Sequence, residues 1–89
     1  MTEPVLDSDT RRRRLLFRAT HRGTHENDLL IGGFVTARLA AFTEDELAVL
    51  ERLLDLPDPD LAEWLTRRQP IPAEHDNPMM RAMVEAGGK

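Results

Sequence analysis

Apolar residues recur at intervals of three and four along most of this chain, which is the pattern of helices that bury one face. The strongest example begins at Thr43, which forms a capping-box pair with Glu46. Leu47, Leu50 and Leu54 then follow at helical spacing. The segment after Thr43 is therefore predicted to be an amphipathic helix that packs on a core through its leucines.

Two helices are predicted before this one. The first runs from Ser8 or Asp9, either of which can cap it, to His21. The second starts with Thr24 or Gly23 as its N-cap. Its apolar residues point to more than one side, so we expect this helix to be the most buried element. These residues are Leu30, Ile31, Phe34, Val35 and Ala37.

A pair of glycines, Gly32 and Gly33, lies in the middle of the second helix. A glycine there costs about 1 kcal/mol relative to alanine, so the pair predicts either a close crossing with another helix or a bend. A strand over residues 29–35 is the alternative. It is disfavoured because no neighbouring segment supplies a second strand to pair with it.

Two further helices are predicted near the end of the chain. The first of them opens with Asp58 as N-cap and Pro59 as first helical residue. Its apolar face carries Leu61, Trp64 and Leu65. Residues 69–76 contain two prolines and predict an extended loop. The last helix follows Asn77 and Pro78 and carries a group of apolar residues: Met79, Met80, Met83 and Val84.

These elements predict an all-α fold, a compact bundle of five short helices over residues 8–86, with tails at residues 1–7 and 87–89. A chain of 89 residues forms one small domain, in which a large internal active-site cavity is not expected. The lack of cysteine excludes disulfide and thiolate chemistry. No apolar run approaches the roughly 20 residues that span a bilayer, and no signal sequence is recognisable, so we expect a complete cytoplasmic protein without membrane insertion.

Positive charge is concentrated in the first predicted helix, whereas acidic residues dominate after residue 43 and the net charge is -4. Four consecutive arginines contribute most of the positive charge of this helix: Arg11, Arg12, Arg13 and Arg14. Because such a run can bind phosphates, the alternative function is a small nucleic-acid-binding or regulatory module. The acidic total and the scarcity of aromatic residues for base stacking argue against nucleic acid.

Candidate metal-binding and catalytic residues each have a simpler explanation. His21 and His25 are four residues apart and could bind one metal ion if they lay on a continuous helix. Gly23 is predicted to interrupt that helix. Glu26 and Asp28 suit the positive end of the second helix, and no pocket is expected that would tune them for acid–base chemistry. No glycine-rich phosphate loop or serine nucleophile motif occurs. We expect neither a catalytic nor a metal site.

Residues 21–26 join the basic first helix to the apolar second helix. Gly23 suits the left-handed conformation that ends a helix. Arg22 is favourable at the negative end of the first helix dipole, and Glu26 is favourable at the positive end of the second helix dipole. Capping alone therefore explains all three. Alternatively, a tight turn exposes Arg22 and Glu26 on one ridge for a partner protein, and Gly23 lets the partner's backbone come close. The spacing does not choose between the two explanations.

A wider set of motifs resembles a known family. The RGxxE motif of Arg22, Gly23 and Glu26 follows an arginine-rich helix and precedes the sequence DLLIGGF. The sequence LPDPDL at residues 56–61 comes later, followed by the pair Trp64-Leu65. Over residues 10–84 the chain resembles SdhE, the bacterial FAD assembly factor of succinate dehydrogenase. The mitochondrial relatives are called succinate dehydrogenase assembly factor 2.

The resemblance implies a five-helix assembly chaperone rather than an enzyme, and we separately expect a monomer. Members of the family bind the flavoprotein subunit of succinate dehydrogenase, and often that of fumarate reductase. They promote covalent attachment of FAD to a histidine of that subunit. FAD is thus the cofactor of the client, and the resemblance assigns no flavin ligands to this chain.

By match of motif, the contact with the partner falls on residues of the first corner. These are Arg22, Gly23 and Glu26, with Thr24, His25 and Asp28 as flanking contacts. The chain departs from the family pattern at Asn27, where an apolar residue is expected, and at Gly33, where a larger residue is common. Both departures concern the packing of the second helix.

Overall fold

The computed structural model describes residues 8–87, which form five α-helices. Their bounds are α1 Ser8–Thr20, α2 His25–Arg38, α3 Glu44–Leu54, α4 Asp58–Leu65 and α5 Pro78–Gly87. Short 3-10 helices, Leu39–Ala41 and Ala73–His75, follow α2 and precede α5. No strand occurs within residues 8–87, so the all-α bundle of five short helices is confirmed and the strand alternative is wrong. The two predicted tails lie outside the described residues, except that Gly87 closes α5.

The second helix lies at the centre of the bundle, in contact with α1, α4 and α5. Ile31, Phe34 and Val35 are buried on its inner side. Its opposite side is open, because Leu29 is 62% exposed and Gly33 is also exposed. As expected, α2 has more buried residues than any other helix, five in all, although one side of it faces outward.

The core is built from the apolar faces that the sequence pattern predicts. Leu47, Leu50 and Leu54 of α3 are buried, and Trp64 anchors α4. The methionines of α5 fill the core between α2, α3 and α4, which agrees with their adaptable shape. None of the helices over residues 8–87 is long and apolar enough to cross a membrane.

The two adjacent glycines of α2 have different surroundings. A Cβ atom on Gly32 would lie 3.0 Å from Thr20 Cγ2 and 3.3 Å from the carbonyl oxygen of Ala19. Gly32 thus permits the predicted close crossing, and the helix that crosses there is α1. A Cβ atom on Gly33 would meet nothing within 4 Å, so no contact over residues 8–87 requires a glycine at that position.

Capping residues set most of the helix starts. The Thr43 hydroxyl accepts from the Glu46 amide (3.1 Å), and the Glu46 carboxylate accepts from the Thr43 amide (2.8 Å), which confirms the capping box. Asn77 caps α5 by accepting from the Met80 amide at 2.8 Å. Asp58 differs from prediction: Pro57 occupies the N-cap position of α4, and Asp58 is the first helical residue. This shift leaves the Asp58 carboxylate available for longer-range partners.

Candidate functional site

The corner between α1 and α2 depends on the backbone conformation of Gly23. Its φ angle of +100° is the only positive glycine φ over residues 8–87 and lies in a region that side chains disfavour. A Cβ atom there would nevertheless meet no atom within 4 Å. A substitution at Gly23 would therefore strain the backbone without meeting a neighbour, and the space outside this residue is open.

The start of α2 is fixed by Thr24, whose hydroxyl accepts from the Asn27 amide at 3.2 Å. Of the two predicted N-caps, Thr24 is therefore the one used. The Asp28 carboxylate accepts from the backbone N–H of Arg22 at 2.6 Å. Both flanking polar residues thus tie the corner to the first turn of α2, which makes its backbone rigid.

The side chain of Arg22 points into the protein. It donates from Nε to Asp58 Oδ1 (2.8 Å), and from Nη1 and Nη2 to the carbonyl oxygens of Leu54 (2.6 Å) and Leu56 (3.2 Å). Only 9% of its side-chain surface is exposed. The predicted ridge that exposes both Arg22 and Glu26 is therefore wrong for Arg22. The physical reason is that carbonyls at the end of α3 lack helical partners, and a guanidinium can satisfy two of them while it pairs with a carboxylate.

Asn27 completes this internal network. It is fully buried, and its Nδ2 donates to the carbonyl oxygen of Asp58 (3.0 Å) and to Asp58 Oδ1 (3.1 Å). Its own Oδ1 has no partner over residues 8–87. Where an apolar residue was expected, the chain thus has an amide that links α2 to α4. We call Arg22, Asn27 and Asp58 the inner network.

Sequence analysis missed Asp58 and the role of Asn27 in this site. The only sequence signal was a polar residue at a position of α2 that the helical pattern places inside. Its partner could not be named, because Asp58 is 31 residues further along the chain. A buried polar residue must find a hydrogen bond, so Asn27 could at most have indicated that a distant polar partner exists.

Glu26 and His25 lie on the outside of the same corner. The Glu26 side chain is 46% exposed, and its nearest cation is Arg68, with Nη2 4.0 Å from the carboxylate. A pair this long and this exposed contributes little to stability. His25 is exposed and has no hydrogen-bond or ion-pair partner over residues 8–87. We call Gly23, His25 and Glu26 the outer surface of the corner.

The histidines and carboxylates near the corner are also candidate metal ligands and acid–base groups from the sequence. No group of three histidine, aspartate or glutamate residues in this part of the chain could hold a metal ion. Away from the corner, just before α5, the pKa of the Asp76 carboxyl is shifted from its usual value. Its hydrogen bond from Arg81 (2.6 Å) holds this pKa below its usual value. The corner instead provides a hydrogen-bonded backbone, an open glycine and an exposed, weakly paired carboxylate.

These features define a class of protein. The molecule is a small helical domain with a solvent-facing helix corner that is braced by hydrogen bonds from within. Such a corner is pre-organised, because its backbone is held by Asp28 and the inner network before any partner binds.

Comparison with known proteins identifies the family. A family model described as the flavinator of succinate dehydrogenase matches residues 13–86, and the chain belongs to this family. The chain is 56% identical over 75 residues to the FAD assembly factor SdhE of Acetobacter pasteurianus, covering 84% of this chain and 69% of that protein. The resemblance drawn from the RGxxE, LPDPDL and tryptophan motifs is thereby confirmed.

More distant relatives are mitochondrial. The chain is 40% identical over 78 residues to succinate dehydrogenase assembly factor 2 of Drosophila virilis, and 36% identical over 70 residues to that of Dictyostelium discoideum. These matches cover 85% and 79% of this chain but only 49% and 50% of the relatives. The chain therefore spans about half the length of the mitochondrial relatives and about two thirds of the bacterial one.

Proposed function

We propose that this protein is an assembly factor that binds the flavoprotein subunit of succinate dehydrogenase and promotes covalent attachment of FAD to a histidine of that subunit. The observation that carries the proposal is a family motif on a hydrogen-bonded corner, with the Glu26 carboxylate 46% exposed and paired only at 4.0 Å with an exposed arginine. The resemblance extends the proposal to the flavoprotein of fumarate reductase as a second client, and we separately propose a monomeric protein in the cytoplasm.

The partner-binding residues divide into two groups in this proposal. Gly23, His25 and Glu26 touch the client, with Glu26 accepting hydrogen bonds from it and Gly23 leaving room for its backbone. Arg22, Thr24 and Asp28 act from within by holding the corner in the shape that the client binds. Arg22 thereby changes from a contact residue to a positioning residue.

The protein contributes positioning rather than reacting groups in this scheme. The bond between FAD and histidine forms within the client, and FAD remains the cofactor of the client. Holding the client's histidine and flavin in a reactive geometry is sufficient to accelerate the reaction, because proximity and orientation lower the barrier. No flavin ligand is assigned to this chain.

The nucleic-acid alternative has less support than the arginine run suggested. Arg11 pairs with Glu44 and Glu51 of α3, and Arg12 donates to a backbone carbonyl. Two of the four arginines are thus engaged within the protein. The protein carries a net charge of -4, so a phosphate backbone repels it overall. The two remaining arginines provide too little positive charge to offset this repulsion.

The proposal is tested by flavin fluorescence of the denatured flavoprotein subunit from cells that carry variants of this protein. Glu26→Ala is expected to lower covalent FAD to the level of cells without the protein, because it removes the outer carboxylate. Glu74→Ala is the matched control, since Glu74 is also exposed but lies in the short 3-10 helix before α5. Covalent FAD that is unchanged in both Glu26→Ala and Gly23→Arg cells would contradict the proposed site.

A further inference from the structure

One large aromatic ring lies on the surface of α1. Phe17 is 62% exposed and stacks on His21, with 4.0 Å between the ring centroids and 14° between the ring planes. His21 Nδ1 also lies 2.9 Å from the carbonyl oxygen of Phe17 and 3.0 Å from Thr20 Oγ1. These contacts hold His21 in place, and His21 in turn supports the phenyl ring. The exposed ring is therefore fixed in orientation.

The arginines of α1 fall into an engaged group and an unengaged group. Arg11, Arg12 and Arg18 contact α3 or residues next to its ends. Arg13 and Arg14 are exposed and have no ion-pair or hydrogen-bond partner over residues 8–87. Their spacing of three and four residues from Phe17 places all three on the outward side of the helix. Together they line a shallow depression on this side.

We propose that this outward side of α1 is a second contact of the client-binding surface, and that it docks on an apolar pocket flanked by carboxylates on the flavoprotein. We call Arg13, Arg14, Phe17 and His21 the α1 face. The inference rests on the proposed function. Phe17 fills the pocket, and the two guanidinium groups bind the carboxylates through paired hydrogen bonds.

Position and residue type both support a protein partner. His21 immediately precedes Arg22 in the chain, so the α1 face continues into the corner at which the client is proposed to bind. Aromatic and arginine side chains are the residue types that contribute most to protein interfaces. A ring that is already fixed in orientation loses little conformational freedom on binding.

Charge favours an acidic client surface over the other possible partners. The α1 face is positive, whereas the whole chain carries a net charge of -4, so two copies of this protein repel each other at long range. Anionic membranes are bound by clusters of about four to eight basic residues, which exceeds the two unengaged arginines here. The same shortage of cations disfavours nucleic acid.

The test is the affinity of the purified protein for the apo-flavoprotein subunit of succinate dehydrogenase from the same organism, measured at low and moderate salt. Phe17→Ala is expected to weaken binding about tenfold. Leu29→Ala is its matched control, because Leu29 is equally exposed at 62% but lies on α2. The double variant of Arg13→Glu and Arg14→Glu is expected to weaken binding most at low salt.

Arg52→Glu is the control for charge reversal, since Arg52 is exposed on α3 and has no ion pair over residues 8–87. If the wild type binds and Glu26→Ala weakens binding, while Phe17→Ala and the double variant bind as the wild type does, the α1 face is overturned and the proposed function stands. An equal loss with Leu29→Ala also overturns it. If the wild type does not bind the flavoprotein at all, the proposed function itself fails. Circular dichroism of each variant separates loss of contact from loss of fold.

Self-association and nucleic-acid binding are measured on the same proteins. Sedimentation that shows a dimer abolished by Phe17→Ala, with client binding intact, would assign the face to a second copy and overturn the proposal. Salt-dependent binding to RNA or DNA that requires Arg13 and Arg14, with client binding intact, would overturn it as well.

Discussion

The inner network and the outer surface of the corner use residues of one short motif for opposite purposes. Arg22 is 9% exposed and makes three hydrogen bonds within the protein, whereas Glu26, four residues later, is 46% exposed and has only a distant cation nearby. A motif that combines an arginine with a glutamate therefore does not imply that both face the partner. Substitutions on the inner side should act on stability, and those on the outer side on binding.

The largest expected effect is that of Arg22→Ala on the free energy of unfolding. The change removes the ion pair with Asp58 and leaves the carbonyls of Leu54 and Leu56 without a donor. A loss of roughly 3 kcal/mol is expected, because a partly buried carboxylate loses its ion pair and two carbonyls lose their donors. Urea denaturation followed by circular dichroism measures it.

Arg18→Ala is the control for this experiment. Arg18 also pairs with an aspartate near the end of α3, but the two side chains are 37% and 69% exposed, so a change below about 1 kcal/mol is expected. If Arg22→Ala instead unfolds at the same urea concentration as the wild type while covalent FAD is lost, Arg22 contacts the client directly. The division into inner and outer residues would then be wrong.

The two adjacent glycines of α2 also differ in the side they face, since Gly32 is buried and Gly33 is exposed. Gly33→Ala is expected to stabilise the protein by about 1 kcal/mol, because alanine favours the helix and the new methyl group meets nothing. Gly32→Ala is expected to destabilise by roughly 1 kcal/mol, because its methyl group crowds Thr20 and the backbone of Ala19, which outweighs the gain in helix propensity.

Thermal denaturation of the two glycine variants measures the difference directly. The melting temperatures should move in opposite directions from that of the wild type. Equal shifts would show that α1 moves away from α2 at little cost, and that the close crossing at Gly32 does not hold the two helices. Covalent FAD should be unaffected by Gly33→Ala if the client binds at the outer surface of the corner.

Local sequence patterns were sufficient for the helices but not for the direction of the Arg22 side chain. The capping box of Thr43 and Glu46 involves residues three apart, so its geometry follows from the sequence. Arg22 lies 32 to 36 residues before its partners, and its position at a helix end already had a complete local explanation. Which side it faces depends on where the turn between α3 and α4 lies relative to the corner. That placement is set by how the helices pack.

Asp58, the partner of Arg22 and Asn27, likewise has a role that its local sequence does not predict. The dipeptide with Pro59 is typical of a helix start, and the helix was predicted correctly. The carboxylate, however, accepts from Arg22 and Asn27 instead of capping its own helix. The local pattern predicts where α4 begins, whereas the use of the side chain follows from two residues more than 30 positions away.

The smallest effect is expected at a pair that belongs to neither side of the corner, Asp76 and Arg81. The hydrogen bond from Arg81 lowers the pKa of the Asp76 carboxyl, so its contribution to stability is present above the unfolded pKa and is lost as the pH falls through the folded value. Because the two side chains are exposed, at 65% for Arg81 and 37% for Asp76, stability should change by no more than the error of the measurement. Arg81→Ala should return the pKa of Asp76 toward its usual value in an NMR titration and leave covalent FAD unchanged. An unchanged pKa would show that this bond does not persist in solution, whereas a loss of covalent FAD would place a client contact on α5.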